Sequence, residues 1–76
     1  MAEIVFPISS FIKTYLYFDY TNYKGEQSRR RVRPSTIEFK KSGWHPEEQW
    51  LMRAYDIDKQ EWREFAMKDM SNVIAE

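Results

Sequence analysis

The sequence predicts a small all-β protein whose five strands close into a barrel. Short runs of β-favouring residues follow one another at close spacing and are separated by turn residues. Aromatic residues make up 17% of the 76-residue chain, enough to fill a small core. Leucine occurs only at Leu16 and Leu51, which argues against a helical bundle. A chain of this length forms one domain.

The first part of the chain predicts a lead-in followed by a strand. Residues 1–10 are expected to be a partly loose segment that covers one end of the barrel, and residues 11–76 the domain itself. Pro7 should break any strand there, and Ser9 or Ser10 could cap a short helical turn. The first long strand then follows from its alternating aromatic residues, over positions 15–20.

Gly25 marks the next turn, because a hairpin turn needs a positive φ. Residues 26–34 are predicted as the second strand. Pro34 cannot donate to a ladder, so it marks a sheet edge, a bulge or the end of the strand. Alternation places Arg29, Arg31 and Arg33 on one face, and Arg30 and Val32 on the other. A third strand follows at 36–40, with Ile37 and Phe39 directed inward.

The second half of the chain is organised around the apolar run 50–56, predicted as the fourth strand. Trp50, Met52 and Ala54 fall on one face and Leu51 and Tyr55 on the other, as in a strand buried in the middle of a sheet. The fifth strand is predicted at 61–67, a helical turn at 68–70 and a short closing strand at 73–74. The side chains expected in the core from this half include Trp50, Trp62, Phe65 and Met67.

The net charge of zero conceals an asymmetry. Residues 24–41 carry seven basic and two acidic side chains, and residues 42–76 carry four basic and eight acidic ones. The basic zone could attract phosphates or an acidic partner. Alternatively, the opposite charges interleave in the fold and leave a mixed surface.

The sequence lacks the residues that several classes of function require. The chain has no cysteine and one histidine, His45, so no metal site or cofactor is predicted. No nucleophile–base pattern or glycine-rich phosphate loop occurs, so we expect no enzyme. No apolar run approaches the ~20 residues of a membrane span, and the N-terminus lacks a signal-peptide pattern, so a cytoplasmic location is expected.

The arginine run 29–33 is the sharpest functional signal. Guanidinium groups bind phosphates in a forked geometry and stack on bases. Alternate arginines on a strand are spaced about 7 Å apart, close to the phosphate repeat of a single nucleic acid strand. Tyrosines of the neighbouring strand could add stacking faces. The alternative is a solvated edge whose arginines pair with Asp19, Glu38 or the acidic half.

Several motifs follow one another along the chain, and in chain order they are Tyr20, Gly25, Arg30-Arg31-Val32-Arg33-Pro34, Trp50-Leu51-Met52-Arg53-Ala54-Tyr55-Asp56, Arg63-Glu64-Phe65 and Met70. In this combination and order they resemble the WYL-domain family over roughly residues 11–74. The Tyr-Thr-Asn-Tyr-Lys-Gly-Glu segment and the Trp-His-Pro-Glu loop resemble a small standalone subset of the family.

The resemblance implies a five-stranded barrel of the Sm-like or SH3-like kind that senses a ligand, often nucleic acid or a nucleotide, in bacterial or phage regulation. Two features depart from the family pattern. Leu51 replaces the middle tyrosine of the name motif, and Ala66 and Asp69 replace arginines. The family's basic pocket would then be kept only in part, at Arg30 and Arg63. No residues remain for a winged helix, so we do not expect this chain alone to read duplex sequence.

The hypothesis is therefore a non-enzymatic module that binds single-stranded nucleic acid or a nucleotide-type ligand. The alternative is a protein-interaction module or homodimer that uses edge strands and the opposed basic and acidic zones. The predicted ligand contacts are phosphate-binding Arg29, Arg30, Arg31, Arg33, Arg53 and Arg63, and base-stacking Tyr17, Tyr20 and Tyr55.

Overall fold

Antiparallel strands account for most of the described chain. A computed structural model describes residues 4–7, 15–43 and 45–76. The strands are β1 (Ile4–Phe6), β2 (Leu16–Thr21), β3 (Gln27–Lys40), β4 (Gln49–Asp56), β5 (Glu61–Ala66) and β6 (Met70–Ala75), with a 3-10 turn at Met67–Asp69. The all-β class predicted from the sequence is confirmed. No helix in the described ranges is long and apolar enough to cross a membrane.

The strands form an antiparallel ladder in the order β5-β4-β3-β2-β6, and the short β1 also pairs with β3. β3 is the central strand. Along one side its first half pairs with β2 and its last residues pair with β1, and along the other side residues 32–40 pair with β4. This strand therefore supports the whole sheet.

Of the three interpretations of Pro34, the bulge is confirmed and the strand end is wrong, because β3 runs through Pro34 as one strand. The β3–β4 register shifts between Pro34 and Thr36, so an extra residue, Ser35, interrupts the ladder there. Such a bulge tolerates the missing N–H of proline and bends the strand. The shift also changes which positions face inward, so Pro34 and Ile37 share the inner face.

The prediction of a closed barrel is wrong. In the described chain no ladder joins β5 to β6, so the sheet stays open, and the chain passes between these strands through the 3-10 turn. Packing across the bent sheet takes the place of the missing ladder. The Phe65 ring of β5 lies 5.1 Å from that of Phe18 and 5.0 Å from that of Tyr20, both on β2.

The core lies on the concave side of this bent sheet, where alternate residues of each strand meet. It consists of Leu16, Phe18, Tyr20, Val32, Met52, Ala54 and Phe65. The core prediction is confirmed for Phe65, and Met67 packs against the cluster. It is wrong for Trp50 and Trp62, which are 37% and 53% exposed. Trp62 is exposed because it projects from the outer face of β5, the end strand of the ladder.

The ends of the chain differ from expectation. β1 ends at Phe6, directly before Pro7, so the prediction that no strand forms there is wrong. The helical turn predicted at Ser9 or Ser10 lies outside the described residues. Near the C-terminus the helical turn is confirmed as a 3-10 turn that begins at Met67, and the last strand is longer than predicted, spanning Met70–Ala75.

Candidate functional site

The arginine run lies on β3 and is divided between the two faces of the sheet. Arg30 stands opposite Phe18 of β2 and therefore shares the inner face with the core. Arg31 stands opposite Tyr17, and Arg33 opposite Tyr55, on the outer face. The predicted alternation is thus confirmed, and the two groups of arginines have different surroundings.

On the inner face, Arg30 is anchored by a buried carboxylate. Its Nη1 donates to Asp56 Oδ2 over 3.2 Å, and the Asp56 side chain is 1% exposed. The Asp56 Oδ1 accepts the backbone N–H groups of Asp58 and Lys59, each over 3.1 Å. Arg63 Nε approaches Asp56 Oδ2 to 3.8 Å, and its Nη2 pairs with Glu61. The carboxylate of Asp56 therefore joins the core to the β4–β5 turn.

Tyr20 belongs to the core beneath Arg30. Its ring is packed against Phe18 and Phe65, and its hydroxyl accepts the backbone N–H of Ala66 over 3.0 Å. Burial raises the pKa of the Tyr20 hydroxyl above its ordinary value. The Arg30 guanidinium lies 5.9 Å from the Tyr20 ring centre. A base could stack on Tyr20 only if these neighbours moved.

On the outer face, Arg29 and Arg31 have carboxylate partners. Arg29 Nη1 donates to Asp19 Oδ1 over 3.2 Å and to the carbonyl of Asn72 over 2.9 Å. The hydrogen bond from Asn72 Nδ2 to Asp19, and secondarily the one from Arg29, lowers the pKa of the Asp19 carboxyl. Arg31 Nη2 pairs with Asp58 over 3.2 Å. Intramolecular pairing therefore applies to Arg29, Arg30 and Arg31.

Arg33 of β3 and Arg53 of β4 differ from these three arginines in their partners. In the described ranges neither guanidinium has a carboxylate within ion-pair distance. Each lies instead over an aromatic ring, Arg33 at 5.6 Å from Tyr15 and Arg53 at 5.0 Å from Trp62. Two unpaired cations thus share the outer face with aromatic rings.

These side chains form one continuous surface. Tyr55, directly opposite Arg33, has its ring 5.5 Å from that of Trp62, and Arg31 lies 5.9 Å from Tyr15. We call this surface the outer arginine–aromatic face, and it consists of Tyr15, Arg31, Arg33, Arg53, Tyr55 and Trp62. Tyr17 flanks it, with its ring 6.4 Å from Tyr15 and its hydroxyl donating to Glu76 over 3.3 Å. Partial burial and the Glu76 carboxylate raise the pKa of Tyr17.

A compact charge network borders the face near Arg53. Lys40 Nζ lies 2.8 Å from both Glu38 and Glu64, although Glu64 stands directly opposite Arg53 in the ladder. The hydrogen bond from Lys40 lowers the pKa of Glu38, and the two carboxylates raise the pKa of Lys40. Lys40 thus forms the ion pairs with these carboxylates. Arg53 forms none within the described residues: its guanidinium lies over Trp62, and its nearby charge adds to the lowering of the pKa of Glu38.

Sequence reasoning missed Trp62 as a member of the face, whereas Tyr15 was among the tyrosines of the neighbouring strand that could offer stacking faces. Trp62 was placed in the core because large aromatic side chains are usually buried there. The available signal was the β4–β5 hairpin, since its register places Trp62 opposite Tyr55 and hence on the outer face. Tyr15 directly precedes β2 and shares the outer side with Tyr17.

Two of the three positions that depart from the resembled pattern, Leu51 and Ala66, are neighbours in the fold. They stand directly opposite each other in the β4–β5 ladder, and both are buried. An apolar pair therefore occupies positions where the family pattern has a tyrosine and an arginine. On these two strands the exposed aromatic side chains are Trp50 and Trp62, and the exposed basic side chain is Arg53.

The open antiparallel sheet and its arginine–aromatic surface define a small binding module, and in the described part of the chain no three metal-ligating side chains converge. Residues 11–75 match the family model of the WYL domain, and the chain belongs to that family. WYL domains are non-catalytic, ligand-binding regulatory modules of bacterial transcription regulators, and they generally bind nucleic acid or nucleotide-type ligands. No curated protein matches the sequence.

Proposed function

We propose that this domain binds single-stranded nucleic acid or a nucleotide-type ligand on its outer arginine–aromatic face, as a regulatory module in the cytoplasm. The observation that carries the proposal is the pair Arg33 and Arg53. Within the described residues their charge is not offset by an ion pair, and both lie beside partly exposed aromatic rings. Unpaired guanidiniums bind phosphate without first losing a carboxylate partner.

Trp62 and Tyr55 provide the surface for bases. Trp62 is 53% exposed, and its contact with Tyr55 is edge-to-face, so ring surface remains for stacking. Stacking of a base on an aromatic side chain contributes about 1–3 kcal/mol and tolerates different bases. The face therefore suits recognition that depends on the backbone and on stacking more than on base sequence.

The other predicted contact residues have different parts in this proposal. Arg31 within the face and Arg29 at its border reach phosphate by exchanging their carboxylate partners. Tyr17 contributes a ring at the border. The inner side chains support the face from below. Arg30 joins β3 to Asp56 beside the β4–β5 turn, Arg63 of β5 approaches the same carboxylate, and Tyr20 joins β2 to Ala66 at the end of β5.

Fluorescence anisotropy of a labelled single-stranded oligonucleotide at two salt concentrations tests the proposal. Affinity should fall as salt rises, because phosphate contacts release counterions. Arg33→Ala and Arg53→Ala should each weaken binding about tenfold, and together they should reduce the slope of log K against log salt by about 1.4. Trp62→Ala should weaken binding by about 1–3 kcal/mol.

Lys68→Ala is the matched control, because it removes one exposed positive charge from the 3-10 turn, away from the face. It should leave binding nearly unchanged. The proposal fails if the wild-type domain does not bind at low salt, or if Lys68→Ala weakens binding as much as Arg33→Ala.

A second candidate function is self-association or protein binding through β6. Among the described strands β6 pairs only with β2, and it exposes Val73 (52%) and Ile74 (56%). An open edge with apolar side chains can add a strand from another chain. Light scattering across concentrations tests it: a salt-insensitive dimer without oligonucleotide affinity would favour this function over the first.

A further inference from the structure

A cleft of about 260 Å³ lies between the first half of β3 and the β4–β5 turn. It is separate from the outer arginine–aromatic face. Its lining combines side chains of the β3 strand with those of the turn, and consists of Ser28, Arg29, Arg30, Asp56, Asp58 and Lys59.

One wall of the cleft is an open stretch of strand edge. The β3–β4 ladder begins at Val32, so in the described chain no strand pairs with residues 27–31 on this side. The N–H of Ile57 reaches the carbonyl of Arg31 over 3.0 Å and marks where the pairing ends. Main-chain groups two residues apart in a strand point to the same side. The backbone N–H of Arg29 therefore faces the cleft.

The side chains add further donors. Arg30 lies at the floor with 13% of its side chain exposed, and its Nε has no hydrogen-bond partner among the residues described. Lys59 is exposed in the turn and forms no ion pair within the described ranges. Ser28 contributes a hydroxyl group. An anion in the cleft would thus meet an ammonium, a hydroxyl and a main-chain N–H above a guanidinium.

The two carboxylates of the lining are already engaged. Asp56 accepts from Arg30 and from two backbone N–H groups, and Asp58 accepts from Arg31. Their negative charges are therefore offset by neighbouring arginines. Lys59 and the Arg29 N–H remain as uncommitted donors.

We infer that this cleft binds the terminal phosphate monoester of a nucleotide or oligonucleotide. A monoester has a charge of about −1.5 to −2 and three acceptor oxygens, more than an internal phosphodiester offers. Arg31 connects the cleft to the outer face, because it pairs with Asp58 and also lies over Tyr15. The inference rests on the proposed function, for it assigns the end of the same ligand to the cleft.

The test compares three versions of one labelled oligonucleotide, with a 5′-phosphate, with a 3′-phosphate, and with hydroxyl groups at both ends. One phosphorylated form should bind about tenfold more tightly than the unphosphorylated form, as expected for charge-assisted hydrogen bonds. Lys59→Glu and Ser28→Ala should reduce this ratio toward one. Arg53→Ala, on the outer face, should weaken all three forms and preserve the ratio.

Equal affinity of all three forms for the wild-type domain would overturn the inference and leave the proposed function intact. If no form binds, the proposed function fails. Titration with inorganic phosphate then tests separately whether the cleft binds a phosphate group. Chemical shift changes at the backbone amides of Arg29 and Lys59, absent in Lys59→Glu, would support the phosphate site. Unchanged amide shifts would overturn it.

Discussion

Asp56 shows how a single buried charge can organise a small protein. It is the one fully buried charged side chain in the described chain, at 1% exposure. Its two oxygens accept hydrogen bonds from Arg30 and from two backbone N–H groups of the following turn. A buried carboxylate is tolerated only when such partners satisfy it.

Replacing Asp56 with asparagine should destabilise the domain by about 3 kcal/mol, because Arg30 would stay in the core without a counter-charge. Urea denaturation measures the change. Asp58→Asn is the matched control: its pair with Arg31 is exposed, with side-chain exposures of 59% and 43%, so the loss should be under about 1 kcal/mol. Equal losses in the two variants would contradict this account of Asp56.

Individual side chains were predictable where strand alternation decided the outcome. The assignment of Arg30 to one face and Arg31 and Arg33 to the other followed from the two-residue period of a strand. Pairing with the acidic half of the chain was one of the alternatives, but the individual partners Asp56 and Asp58 were not predictable, because they approach β3 only after the β4–β5 hairpin has folded back. The exposure of Trp62 likewise depends on its strand lying at the end of the ladder.

At the scale of elements, the β2–β3 hairpin is determined mainly by its turn. The Asn22 side-chain oxygen accepts the backbone N–H groups of Lys24 and Glu26, each over 2.9 Å. Gly25 adopts φ of 80°, a conformation that other residues adopt only with strain. The turn sets the register that places Arg29 beside Asp19.

Gly25→Ala should destabilise the domain by about 1 kcal/mol through backbone strain alone, since a Cβ there meets no atom within 4 Å. Gly43→Ala is the control, because that position also has open space but no positive φ. It should be neutral or stabilising by about 0.4–1 kcal/mol. Thermal unfolding of the two variants side by side distinguishes strain from loss of a glycine.

The strands and turns were predictable from the sequence except where pairing with a distant strand outweighed a local preference. The turn at Gly25 and strands β2, β4 and β5 agreed with the sequence pattern. Because proline lacks an N–H, the sequence left an edge, a bulge or a strand end open at Pro34, and the bulge at Ser35 lets β3 continue. A bulge depends on pairing with a distant strand, so its position could not be read from the local sequence.

At the scale of the whole molecule, opposite charges are interleaved. The basic β3 strand pairs with Asp56 and Asp58 from the acidic half, and Lys40 binds Glu38 and Glu64. The asymmetry of charge along the sequence is therefore largely offset by ion pairs in the folded domain. Arg33 and Arg53 are exceptions, because neither forms an ion pair within the described residues. Barrel closure could not be judged from the sequence, because it depends on whether β5 and β6 come close enough to pair.

The pairing of these charges predicts an acid-sensitive stability. The folded-state pKa values of Asp19 and Glu38 are lowered, so their contributions are present above the unfolded values near 4 and are lost as pH falls through the folded values. Lys40, whose pKa is raised, contributes below its unfolded value of about 10.4 and loses that contribution only in alkali.

Urea midpoints measured between pH 6 and pH 2.5 should therefore decline below about pH 4. Glu38→Gln should flatten this decline, because one of the groups that take up protons is gone. Glu48→Gln, in an exposed loop, should leave the slope unchanged. A decline of the same steepness in Glu38→Gln would rule out the Lys40 network as a source of the pH dependence.

The sheet order places β2 beside β6, so a strand from the early part of the chain pairs with the last one. Residue pairs such as Leu16 and Ala75 are far apart in the sequence, so forming them closes a loop that contains most of the chain. Closing such long loops costs conformational entropy before the contacts that offset this cost have formed. Proteins dominated by pairings between distant residues therefore fold in milliseconds to seconds. We therefore expect this domain to fold more slowly than a helical chain of equal length, with β6 docking late.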